Sequence, residues 1–186
     1  FLTKAELIGA ILHTGNPSNK AKLLVGGRGK GRSWCRIGQG PDGKELLDFS
    51  PWDNFFNGLI ENGTITKEDM DAVQAIWDLL EDTKPLAQRA YKKLWGYYFT
   101  EIEAQPIKTK FGEYRGGYVP AVVDAWIVAN GDAKVAKEIM EKNDFLSTMP
   151  AKRPGFSKSR SEAYRQPLTL NLAMLSSHVQ KVLKFA

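Results

Sequence analysis

Apolar positions recur along most of this chain at helical spacing. Thr3 and Glu6 form a T-x-x-E capping box, in which hydroxyl and carboxylate each satisfy an orphan amide. Leu7, Ile8, Ile11 and Leu12 follow at helical intervals, and Gly15 can take the left-handed stop. Asn16-Pro17 restarts the pattern as cap and first helical residue of a short helix to about Leu24. Ser50-Pro51 opens another helix, with Trp52, Phe55, Phe56, Leu59 and Ile60 on one face and Asn62-Gly63 as its stop. Thr66 caps the strongest helix, whose core stripe is Met70, Val73, Trp77 and Leu80, flanked by Ile76 and Leu79. Pro85 is expected to end or kink it near Thr83-Lys84, because proline lacks the amide and clashes with the preceding turn. A further helix is expected from about Leu86 to Trp95, stopped by Gly96, another from Asp132 to about Lys142, and a last one capped by Ser176 or Ser177.

The remaining stretches break this period. Ile102, Ala104 and Pro106, followed by residues 111–120, read as strand, turn and strand, and the alternation of Leu168, Leu170 and Leu172 predicts a short strand. Residues 26–49 are predicted as a flexible glycine-rich and basic loop region, with Pro41-Asp42-Gly43 as a turn inside it. Residues 143–166 are predicted as a basic, irregular segment. The fold class is therefore mainly α with a small β element: an irregular helical domain with a hairpin-like, Gly-rich segment near 102–120 and sheet pairing expected only there and near 168–172.

A length of 186 residues suits one domain, and 42% hydrophobic with 11% aromatic residues suffices for a packed core. No apolar run reaches the roughly 20 residues needed to cross a bilayer. The start at Phe1 and the end at Ala186, in mid-pattern, suggest that residues 1–186 are a single-domain fragment of a much larger chain. The lone Cys35 leaves no internal disulfide to form and fits a reducing compartment. Lys plus Arg number 26 against 21 Asp plus Glu, a net +5 whose distribution matters more than its size.

Motifs that carry chemistry are scarce. Gly38-Gln39-Gly40-Pro41-Asp42-Gly43 matches G-x-G-x-x-G, but a dinucleotide fingerprint needs a buried strand before it and a helix after it, so an ordinary turn is the better reading. The Gly26–Ser33 tract fails the phosphate-loop pattern, with Leu24 where its first Gly belongs and Gly31 where Ser or Thr is needed. His13 and His178 stand far apart without metal-ligand partners at local spacing, which points to structural roles and to no metal or cofactor. Glu68, Asp69, Asp71, Asp78, Glu81 and Asp82 can supply paired carboxylates for acid–base work, or form the solvated face of an amphipathic helix. The apolar positions between them favour the second. No catalytic motif is present. Lys152, Arg153, Lys158, Arg160 and Arg165 interleave with Phe156 and Tyr164, as in grooves that hold single-stranded nucleic acid. Together with Arg28, Lys30 and Arg32, and with Phe156 as a stacking ring, they make a candidate phosphate-contacting face; the competing reading is a solvated loop.

Four stretches, in order, resemble a domain of the giant polyvalent proteins that bacteriophages package in the virion and eject with their DNA. They are Leu2-Thr3-Lys4-Ala5-Glu6 with Gly15-Asn16 and Asn19; Val73-Gln74 with Trp77-Asp78; Phe111-Gly112-Glu113-Tyr114-Arg115-Gly116-Gly117-Tyr118-Val119-Pro120; and Gly155-Phe156-Ser157-Lys158-Ser159-Arg160 with Leu170, Leu172 and His178-Val179. The stretch from Val25 to Asn62 departs from the pattern. The resemblance implies a setting rather than a reaction: a non-catalytic structural or interaction module, in the virion interior and then the host cell, with weak nucleic-acid contact. Its partners would be the rest of the parent polypeptide, other virion or ejection proteins and single-stranded nucleic acid. The alternative is an accessory domain of a virion-packaged enzyme such as an RNA polymerase, with its catalytic residues outside this fragment. Within the signature, Trp77, Asp78, Tyr114, Arg115, Gly116, Gly117 and Tyr118 read as a structural keystone in which Arg115 pairs with Asp78.

Overall fold

The computed structural model describes residues 2–26, 34–148 and 167–185. Seven helices and two small antiparallel hairpins make up the described residues, a mainly α architecture with a small β element. Helix α1 (Lys4–His13) begins at the Thr3–Glu6 capping box, and α2 (Pro17–Gly26) begins where the Asn16 side-chain oxygen accepts the amide of Asn19 at 2.9 Å. Strands β1 (Arg36–Gln39) and β2 (Glu45–Asp48) form a hairpin in which Arg36 faces Asp48 and Gln39 faces Glu45. Its turn is Pro41-Asp42-Gly43, closed by the Gly40 amide donating to the Lys44 carbonyl at 2.8 Å, so the G-x-G-x-x-G match is a hairpin turn. Helix α3 (Ser50–Glu61) starts with proline in its first turn and is capped by Asn62. Helix α4 (Lys67–Trp95) starts at a Thr66–Asp69 capping box and stops at left-handed Gly96.

Strands β3 (Ile107–Thr109) and β4 (Gly112–Tyr114) pair with Ile107 opposite Tyr114. The short α5 (Ala125–Val128) follows, capped by Asp124, and packs on α6 (Ala133–Thr148). Helix α7 (Ala173–Phe185) returns to lie against α4. The main core gathers Leu7, Ile11 and Leu12 of α1, Leu23 and Leu24 of α2, Trp52, Phe56 and Ile60 of α3, and Met70, Val73, Trp77 and Leu80 of α4. A second cluster joins Ala87 and Tyr91 of α4 to Phe99, Tyr118 and Val182. Among the described residues no helix is long and apolar enough to cross a membrane.

Several expectations change. Pro85 neither ends nor divides its helix: α4 runs unbroken for 29 residues. The proline is exposed, while Leu80 packs in the first cluster and Ala87 and Tyr91 in the second. Burial on both sides offsets the roughly 3 kcal/mol that an interior proline costs. Sheet pairing is not confined to 102–120 and 168–172, because residues 36–48 form a hairpin within the stretch expected as loop. Its β1 side chains are all exposed, so no period-two alternation betrays it. The 168–172 stretch holds a single bridge, Val123 to Leu168, flanked by the Thr169 amide donating to Val122 and the Asp124 amide donating to Pro167.

The last two concern helix ends. Helix α7 begins before Ser176, since the Asn171 side-chain oxygen accepts the Ala173 amide at 2.9 Å; the Ser176 hydroxyl instead donates to the Ala173 carbonyl. Helix α6 continues six residues past Lys142 into the segment read as irregular, no glycine or proline occurring between Asp132 and Pro150.

Candidate functional site

The signature 111–120 lies along α4 as an extended strap. On α4, Asp71, Gln74, Asp78 and Glu81 are spaced at i, i+3, i+7 and i+10 and so share one helix face. Each holds a successive part of the strap. The Tyr114 hydroxyl donates to Asp71 at 3.1 Å, the Arg115 amide to the Gln74 side-chain oxygen at 2.7 Å, the Arg115 guanidinium to Asp78 at 2.7 Å, and the Tyr118 amide to Glu81 at 2.9 Å. Gln74 in turn donates to Asp78 at 2.8 Å, which fixes both side chains.

The other side of the strap is held by α1 and α2. The Gly15 carbonyl accepts from both the Gly117 amide at 2.9 Å and the Gln105 amide at 2.8 Å. Asn16 donates to the Gly117 carbonyl at 3.2 Å and Asn19 to the Val119 carbonyl at 2.8 Å. Asn19 also donates to His13, whose other ring nitrogen faces the Thr169 carbonyl at 3.2 Å. That pairing assigns the proton to Nε2. Beneath the strap lies Trp77, fully buried, with its indole N–H donating to the Leu12 carbonyl at 3.0 Å.

The two glycines are dictated by this geometry. Gly116 has φ of 77°, and a Cβ there would collide with the Gln105 and Gly15 carbonyls. At Gly117 a Cβ would stand 2.7 Å from that of Trp77. Residues of the ordered motifs therefore meet in space: Gly15, Asn16 and Asn19, then Gln74, Trp77 and Asp78, then Tyr114 to Tyr118, with His178 against the Tyr118 ring at 5.4 Å. The expected pairing of Arg115 with Asp78 is present.

Electrostatics follow the same contacts. The Lys67 ammonium, 2.6 Å from Asp71, holds that carboxyl below its ordinary value, aided by the Tyr114 hydroxyl. Burial, and then the hydrogen bond to Asp71, push the Tyr114 phenol up. At Asp69 burial acts to raise the carboxyl, but the Lys4 ammonium and the amide and hydroxyl of Thr66 outweigh it and leave it lowered. Burial pushes His178 down to about 4, with Lys181 adding to the effect. Both histidines are buried. The α4 carboxylates that could have formed an acid–base pair are thus largely engaged: Asp69 with Lys4, Asp71 with Lys67 and Tyr114, Asp78 with Arg115 and Gln74, and Glu81 with Lys84 and Tyr118.

The nucleic-acid candidates Arg28, Lys30, Arg32, Lys152, Arg153, Phe156, Lys158, Arg160 and Arg165 lie outside the described residues. Sequence reasoning missed Gln74 and Glu81 of α4, and Asn16 and Asn19 at the start of α2, as partners of the strap; the α4 acids were read as a solvated face and Asn16 as a helix cap. A cleft of about 180 Å³ includes Lys20, paired with Asp53 at 3.5 Å, and a second of about 330 Å³, at the low end of the roughly 300–1,000 Å³ of small-molecule sites, is lined by Glu6, Asp124 and residues 169–172. Compared with protein-family models, curated proteins and solved structures, the chain matches none of them.

Proposed function

We propose that this chain is a non-catalytic structural and interaction module of a large virion protein that a phage delivers into its host, with weak contact to single-stranded nucleic acid. What supports the non-catalytic reading is the use of the α4 polar face, where Asp71, Gln74, Asp78 and Glu81 tie down the strap instead of converging on an open cleft. What supports the setting is the resemblance of the ordered motifs to those of polyvalent phage proteins, of which Gly15, Asn16, Asn19, Gln74, Trp77, Asp78 and Tyr114 to Tyr118 gather at this strap.

Mass spectrometry of purified particles, and of cells infected while host translation is blocked, tests the setting. The chain is expected in both samples, and its absence from particles overturns the proposal. Asp78→Asn tests the chemistry: stability and infectivity should fall together and slightly. Loss of infectivity at unchanged stability would make Asp78 a reactive group.

A further inference from the structure

From Thr83 to Thr100, and again from Pro167 to Ala186, the chain contains no Asp or Glu. The fold sets these two acid-free stretches side by side, because α7 packs along α4 and Phe185 stacks on Trp95 with centroids 6.2 Å apart. Arg89, Lys92 and Lys93 are exposed on the last turns of α4, Lys184 is exposed on α7, and Lys181, half-buried, lies one turn before Phe185 and so shares its side. Among the described residues none of these five cations pairs with a carboxylate. The nearby Glu101 is engaged by Lys84 at 3.8 Å and Gln88 at 3.0 Å.

Two large aromatic rings stand exposed beside these cations. Tyr97 and Tyr98, just after the Gly96 cap, are 55% and 57% exposed. The Lys92 ammonium sits 4.4 Å from the Tyr98 ring centroid, and Tyr97 meets Tyr91 edge-on at 5.5 Å. Tyr91, Trp95 and Phe185 form a packed shelf beneath them. The negative end of the helix dipole accounts for Lys92 and Lys93 at this terminus. The same end of α7 accounts for Lys184, but neither dipole accounts for Arg89 and Lys181, which lie further from the helix ends, or for the two exposed tyrosines.

We propose that the C-terminal end of α4, together with α7, is a binding surface for single-stranded nucleic acid, with Arg89, Lys92, Lys93, Lys181 and Lys184 on phosphates and Tyr97 and Tyr98 stacking on bases. Cations that track a backbone beside rings open to bases are the recurring design of such sites, and unpaired bases supply the π-faces that a duplex keeps stacked. The inference rests on the nucleic-acid part of the proposed function but assigns the contact to residues other than 152–165.

Fluorescence anisotropy of a labelled oligothymidylate of roughly twenty nucleotides, titrated with the whole chain across a salt series, tests it. Lys92→Gln with Lys93→Gln should make the log–log salt slope shallower by about 1.4, at about 0.7 per phosphate contact on single strands. Tyr97→Ala with Tyr98→Ala should weaken binding by roughly tenfold or more at an unchanged slope, because stacking carries no charge. All these side chains are exposed, so unchanged far-UV dichroism and melting should accompany both variants. A third variant carries Gln at Lys152, Arg153, Lys158, Arg160 and Arg165. If it alone abolishes binding, the surface proposed here is wrong while nucleic-acid contact survives. Absence of binding at low salt overturns both, and equal affinity for a duplex of the same length overturns the stacking role of the tyrosines.

Discussion

Gly117→Ala probes the strap at its tightest point. The added methyl would meet Trp77 Cβ at 2.7 Å, Cγ at 2.9 Å and Cδ1 at 3.1 Å. These atoms are the stem of a fully buried indole anchored by its bond to the Leu12 carbonyl, so they cannot swing aside. Overpacking of this kind costs about 1–3 kcal/mol. Lifting the strap also weakens the hydrogen bond from Gly117 to Gly15, worth about 0.5–1.5 kcal/mol. The expected loss is about 2–4 kcal/mol, which for a chain of this size lowers the melting midpoint by about 5–15 °C. Gly58→Ala is the control of opposite sign: it lies inside α3 with nothing within 4 Å of the new methyl, and should gain up to about 1 kcal/mol. Urea denaturation followed by far-UV dichroism reads both. Equal midpoints for wild type and Gly117→Ala would refute the close approach of strap and indole.

Trp77→Ala, which empties the same site, should cost about 3–5 kcal/mol in the same assay. A double-mutant cycle on Asp78 and Arg115 should return a coupling below about 1 kcal/mol, since the guanidinium is 76% exposed and solvent screens the pair. His178 makes stability fall as acid is added: unfolded, the ring takes a proton near 6.5, and folded only near 4, so stability present above pH 6.5 drains away between those values by about 3 kcal/mol. His178→Leu should flatten denaturation midpoints across that window, and an unchanged pH profile would remove His178 from the account.

Local signals carried the helix starts. The capping boxes at Thr3 and Thr66, the Asn16 cap and the stops at Asn62 and Gly96 each act within four or five residues and could be read directly. Pro85 misled because its cost is local whereas the packing of Ala87 and Tyr91 that overrides it is tertiary. The 36–48 hairpin was hidden because strand alternation appears only when one face is buried. At the strap, charge made the Arg115–Asp78 pair guessable, and the adjacent glycines stood in the expected keystone without disclosing how closely the strap approaches Trp77. The roles of Gln74 and Asn19 were not legible, because an amide on a helix face looks the same whether it meets water or a backbone, and Asn16 was legible only as a cap. The cationic end of α4 was not read from the sequence, because only the return of α7 reveals it as a surface.

Native-state hydrogen exchange of the strap amides tests the central claim most directly. Arg115, Gly117 and Tyr118 donate to Gln74, Gly15 and Glu81 although no sheet contains Gly117 or Tyr118. The account predicts that they exchange as slowly as the buried middle of α4, limited by global unfolding, and that Glu81→Ala frees the Tyr118 amide first. Exchange at the rate of an open loop in the wild-type chain would contradict it.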